Sequence, residues 1–199
     1  MLIHCNNKPI RIIGRGFVAK ELELFLQEEM CQVNLIDYEK LMVDENINQY
    51  QYLIGIADDM PLRAEICQWV SKNNLDLCSW MHNSSLAVTT AKLGKGIICY
   101  PFSLILAAEI QDHCFIGPYC HVGHGATAGF GSVLLPYSRM LGSSRLDQFC
   151  QLQSGATLLD KRHILTPFVT VLAGATVTKD IVASGNYGGC PARKTITQL

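Results

Sequence analysis

The second half of the chain carries an apolar residue at every sixth position: Ile110, Ile116, Val122, Ala128, Leu134, Met140, Leu146, Leu152, Leu158 and Ile164. Two places before each of the first nine stands a small one: Ala108, Cys114, Cys120, Ala126, Ser132, Ser138, Ser144, Cys150 and Ala156. A sandwich strand alternates with period two and is interrupted by irregular turns, whereas this register runs from Ile110 to Ile164 without an insertion. Six-residue repetition fits a prism with three strand-bearing faces, the large apolar residue filling the interior and the small one fitting where the chain turns. Gly94, Gly117, Gly123 and Gly129 follow the apolar position, and the pattern assigns them the backbone freedom of the corners. Leu93 and Ile105 are out of phase and Arg162 interrupts the small column, so the solenoid is expected over 83–185, tightest in its middle.

The front of the chain alternates differently. Pro9–Ile13 and Gln32–Ile36 are short apolar runs ending at Gly14 and Asp37, and Tyr52–Ile56 is a third. Helical composition follows the first run from Ala19 to Leu26. It also follows the third beyond Pro61, where Leu62, Ile66, Trp69 and Val70 share a face. This order predicts a small parallel sheet, with any ligand at the carboxyl ends of its strands. Those ends carry Gly14, Arg15, Gly16, Phe17, Asp37 and Gly55. The Gly-x-Gly step reads either as a tight strand-to-helix turn or as a phosphate cradle at a helix N-terminus.

Net charge is −1 with a pI near 6.6, so no basic field invites nucleic acid. The chain lacks a signal-peptide pattern and a bilayer-length apolar run, which predicts a cytoplasmic protein with no membrane span. Nine cysteines without a CxxC pair are expected as reduced thiols serving as small apolar filler, buried at Cys114, Cys120 and Cys150.

The hexapeptide register resembles that of the acyltransferases built on a left-handed parallel β-helix. The whole chain is similar to their subfamily of nucleotide-amino-sugar N-acetyltransferases and sialic acid O-acetyltransferases. Four phrases carry the likeness: Ile12-Ile13-Gly14-Arg15-Gly16-Phe17-Val18-Ala19-Lys20, Ile54-Gly55 onward to Arg63, Leu172 to Asp180, and Gly189-Cys190-Pro191-Ala192-Arg193. The resemblance implies a small Rossmann-like nucleotide-sugar-binding domain over 1–82 and a β-helix acyltransferase domain with a C-terminal tail over 83–199. It also implies acetyl-CoA as co-substrate, no metal, and a homotrimer.

Acetyl transfer needs a base for the acceptor's proton. The family's base sits in a pattern like H-[DE]-x-x-[IV]-G, which His124 to Gly129 matches at the His and the Gly. Here Gly125 replaces the usual acid, and Val133 stands where a second His is common. The register turns His124 outward at a prism edge. Gly142, Ser154, Gly155 and Gly174 are expected to line acetyl-CoA between adjacent prisms, or to serve only as corners. The favoured acceptor is the amine of a nucleotide-linked amino-deoxy sugar. The alternatives are O-acetylation of a sialic-acid-like sugar and a catalytically weakened homologue that binds a sugar nucleotide. A trimer-interface zinc site, as in carbonic anhydrases of this architecture, would draw on His113, His121 and His124. Their spacing does not resemble that ligand set, and His121 and His163 read as surface residues.

Overall fold

The computed structural model describes residues 2–3 and 8–195. From Ser79 onward the chain winds as a three-faced parallel β-solenoid of about six turns. Strands of two or three residues on each face pair in parallel with the strand one coil away: Ile116 with Leu134 and Leu152, Val122 with Met140 and Leu158, Ala128 with Leu146 and Ile164. Every residue of the apolar column is buried, and the stacked interior forms one cluster. Cys114, Cys120 and Cys150 lie within it, where burial pushes their thiols up to about 12, 11 and 12.

The out-of-phase residues have a simple cause. Leu93 pairs with Ile110 and Ile105 with Val122, so both remain in the interior column. One corner is a residue short, at Leu106–Ala108, where the Ala108 amide donates to Leu106 O at 2.6 Å. Beyond Ile164 one residue is gained before Val171, which still pairs with Leu152 in register.

The glycines' role differs from the expectation. Gly94, Gly117, Gly123 and Gly129 do not occupy the left-handed region. A Cβ at Gly117 would meet Leu134 O at 3.0 Å, at Gly123 the Gly142 amide at 2.9 Å, and at Gly129 Asp147 C at 2.6 Å. They are glycines because adjacent coils touch there. The left-handed corners belong largely to larger residues, among them Phe102, Tyr119, Tyr137, Ser143 and Lys161. Backbone bonds to the preceding coil hold them, as when the Ser143 amide donates to His124 O at 2.8 Å and the Tyr137 amide to Pro118 O at 3.0 Å.

In front of the solenoid stand three parallel strands, Val33–Ile36, Ile10–Ile13 and Gln51–Ile54 in spatial order, with helices α1 (Phe17–Glu28), α2 (Tyr38–Leu41) and α3 (Met60–Lys72). The Rossmann-like expectation reduces to this three-stranded sheet. Helix α3 buries Arg63, Ile66, Cys67 and Val70, while Leu62 and Trp69 are only partly covered, so its inner face is rotated from the one the apolar spacing suggested. The front core continues without a break into the outer side of the solenoid's first face, through Ile98, Phe115 and Val133. Among the described residues no helix is long and apolar enough to cross a membrane.

Arg63 crosses this junction fully buried. Its Nε donates to Gly131 O at 3.0 Å, its Nη1 to Ile54 O at 3.4 Å and to Ile56 O, and its Nη2 to His113 O. Beside it His113 is also buried, with Nε2 3.1 Å from Ser71 Oγ and Nδ1 without a partner among the described residues. Burial foremost, then the Arg63 charge, push the His113 imidazole down to about 4.

The folded protein therefore refuses a proton that the unfolded chain accepts. Its stability should be intact above about pH 6.5 and fall by roughly 3 kcal/mol as pH drops to about 4. His113→Asn keeps a residue tolerant of the left-handed corner. Urea unfolding across this range should show a flatter acid slope in that variant, and an unchanged slope would show that another group drives the loss.

Candidate active site

A cavity of about 350 Å³ lies at the carboxyl ends of the three front strands, a size suited to a small ligand. Gly14, Arg15, Gly16, Phe17, Asp37 and Gly55 all line it, together with Asp58, Asp59 and, from the solenoid, Leu135. Gly14 has φ +124°, and a Cβ there would meet Ile56 Cγ1 at 3.1 Å and Gly55 O at 3.3 Å. A Cβ on Gly55 would fall 2.7 Å from Ile12 Cγ2 and 2.8 Å from Ala19 Cα. Gly55 thus lets α1 pack directly against the sheet, and Gly14 lets the exits of the strands Ile10–Ile13 and Gln51–Ile54 lie close together. Gly16 caps α1 without a side-chain hydrogen bond, and the first turn has no acidic residue, leaving its amide donors and positive dipole end for an anion.

The charges around this cradle are mixed. Arg15 donates from Nε to Asp37 Oδ1, and Lys40 Nζ lies 3.5 Å from Asp37 Oδ2, so the Asp37 carboxylate is paired with two cations. Asp59 Oδ1 accepts the Leu62 amide at 3.0 Å and caps α3. Phe17 is 94% exposed beside the opening, a free aromatic face.

His124 stands elsewhere. It follows the second-face strand His121–Val122 and precedes the third-face strand Thr127–Ala128, exposed at the corner between them. The cavity instead borders the corner between first and second faces, after Val133–Leu134. The four residues expected around acetyl-CoA also divide. Ser154, Gly155 and Gly174 share that first-to-second corner, where the Gly174 amide donates to Ser154 O at 2.9 Å. Gly142 lies under the His124 ring: the place its Cβ would take is 3.0 Å from His124 Nε2 and Cε1 and 2.6 Å from Asp160 Oδ1.

Two features were not anticipated from the sequence. Exposed rings of Phe102, Tyr119 and Tyr137 stack along the first-to-second corner with centroids 5.0 and 4.9 Å apart. Their recurrence once per coil was the available signal. Asp160 likewise occupies the position of His124 two coils on. Val133 is fully buried against the front unit. His121 and His163 are half-buried on the second and third faces, while His113 is interior. Among the described residues no group of three or more His, Cys, Asp or Glu side chains could hold a metal ion.

No protein-family model matches this sequence, and no curated protein does. Solved structures do. A variant of perosamine N-acetyltransferase from Caulobacter crescentus, solved with CoA and GDP-perosamine, superposes with a TM-score of 0.84 at 21% identity, covering 93% of this chain and 95% of that one. The acetyltransferase domain of PglB from Neisseria gonorrhoeae gives 0.86 at 15% identity, covering 94% and 100%. WeeI from Acinetobacter baumannii gives 0.53 at 15%, covering 93% and 98%. At these identities the likeness is one of fold, and it extends through both the front unit and the solenoid.

Gly55→Ala should push α1 away from the sheet, lowering stability by about 1–3 kcal/mol through overpacking. Phe17→Ala, at an exposed position, should leave stability within about 0.5 kcal/mol. Parallel denaturant titrations check both, and equal midpoints for Gly55→Ala and the unmodified protein would contradict the close approach.

Proposed function

We propose that this protein transfers an acetyl group from acetyl-CoA to the amine of a nucleotide-linked amino-deoxy sugar, on a left-handed β-helix fronted by a minimal Rossmann-like module over 1–82. The observation that carries the reading is the pairing, in one chain, of a glycine-lined anion cradle with an exposed edge histidine. The same two-part fold occurs over nearly the full length of enzymes whose described ligands are CoA and GDP-perosamine. The acceptor's diphosphate would sit on the α1 N-terminus at Gly14 to Phe17. Its base would have Phe17 to stack on, and its sugar would meet Gly55 and Asp37 at the rim.

His124 takes the proton that the acceptor amine sheds as it attacks the thioester carbonyl, and returns it to the departing CoA sulfur. The cavity and His124 occupy different prism edges, so one chain alone does not bring them together. A homotrimer resolves this: the first-to-second corner of one copy, with Ser154, Gly155 and Gly174, faces the second-to-third corner of the next, with His124 and Gly142. Acetyl-CoA lies in the groove between them. A cytoplasmic location fits a chain that uses nucleotide sugars and acetyl-CoA.

His124→Ala should lower kcat by about 10²–10⁴ with little change in KM for acetyl-CoA, because proton transfer acts in the transition state. Steady-state kinetics with an acceptor that the unmodified protein turns over decides it. An unaltered kcat would eliminate His124 as the base.

A further inference from the structure

His124 lacks an acidic neighbour in sequence, since residue 125 is glycine. The solenoid stacks His124, Gly142 and Asp160 at one corner in successive coils. Because Gly142 has no side chain, a single point above it is 3.0 Å from His124 Nε2 and 2.6 Å from Asp160 Oδ1. Imidazole and carboxylate thus face one another across the space a Cβ would fill, within reach of a direct hydrogen bond after a rotamer change or of one bridging water. We propose that Asp160 is the carboxylate that orients His124 through Nε2–H, leaving Nδ1 to receive the acceptor's proton; this rests on reading His124 as the base.

A purely structural role for Asp160 has a ready comparison in the same solenoid. Asp112 Oδ1 accepts the Lys95 amide at 2.8 Å, and Asp180 Oδ1 accepts the His163 amide at 3.0 Å, each capping the coil before it. The amide in register with Asp160 is that of Gly142, paired through Met140 and Leu158, and among the described residues it makes no hydrogen bond to the Asp160 carboxylate. Asp160 is exposed and has no hydrogen bond or ion pair among the described residues. Its carboxylate is therefore free to serve the imidazole. A carboxylate partner favours one ring tautomer and stabilises the imidazolium formed as the proton moves.

The test is a set of kcat and KM measurements on folded, full-length variants. Asp160→Asn should reduce kcat about 10- to 100-fold with KM for acetyl-CoA within about twofold, and Asp160→Glu should recover part of the loss. In a His124→Ala background, Asp160→Asn should add nothing further, because the group it serves is gone. Gly125→Asp should restore kcat to Asp160→Asn by returning an acid beside the ring. The corner accepts a side chain, since Ser143 and Lys161 hold the same left-handed conformation one and two coils on. If Asp160→Asn matches the unmodified kcat while His124→Ala is impaired, Asp160 is overturned and the base assignment stands. Equal losses from Asp160→Asn with and without His124 would also overturn it, as a general structural effect. Full activity in His124→Ala would overturn both.

Discussion

One buried guanidinium governs how the two parts of this molecule meet. Among the described residues Arg63 has no carboxylate partner; its donors are spent on carbonyl oxygens at the end of the front sheet, Ile54 and Ile56, and of the solenoid corners at His113 and Gly131. Burying such a charge costs several kcal/mol unless its donors are satisfied, so the arrangement holds only while both units present those carbonyls together. That requirement sets where α3 lies, and with it the floor of the cavity at Gly55 to Asp59. Burial first, and then the same charge, keep the neighbouring His113 from taking a proton.

The second constraint is the coil-to-coil contact. Nearly all solenoid strands here are two or three residues long, so each corner recurs in line with the corner of the next coil. Glycine at the contact points is a steric demand rather than a conformational one, and Gly142 shows its chemical consequence. What would be a crowded corner becomes an opening flanked by an imidazole and a carboxylate two coils apart. The repeat that builds the interior therefore also builds the edge.

Much of this was legible in the sequence, and the exceptions are physically instructive. The apolar and small columns identified the solenoid because every coil repeats the same packing problem. Leu93 and Ile105 looked displaced only because one corner at Leu106–Ala108 is a residue short, a change that alters sequence phase without altering register in space. The front cavity residues could be named from the strand ends, since parallel strands place their carboxyl termini together. The inner face of α3 was misplaced because Arg63 reads as a surface residue by type, and only a set of tertiary carbonyls makes its burial tolerable. Asp160 was invisible for a related reason: its relation to His124 runs along the stack, between residues distant in sequence, and has no motif. The grouping of Gly142 with Ser154, Gly155 and Gly174 separated because spacing gives the coil but not which of three edges faces a ligand.

The cradle at the α1 N-terminus, the edge histidine and the glycine-lined corner belong together only if they serve one reaction. Acetylation followed by mass spectrometry addresses this most directly, using purified protein, acetyl-CoA and a panel of nucleotide-linked amino-deoxy sugars, with thermal unfolding recorded for each ligand. The account predicts an N-acetylated product from at least one acceptor and a raised unfolding temperature with acetyl-CoA. Folded protein that neither gives a product nor is stabilised by acetyl-CoA or any sugar nucleotide would contradict it.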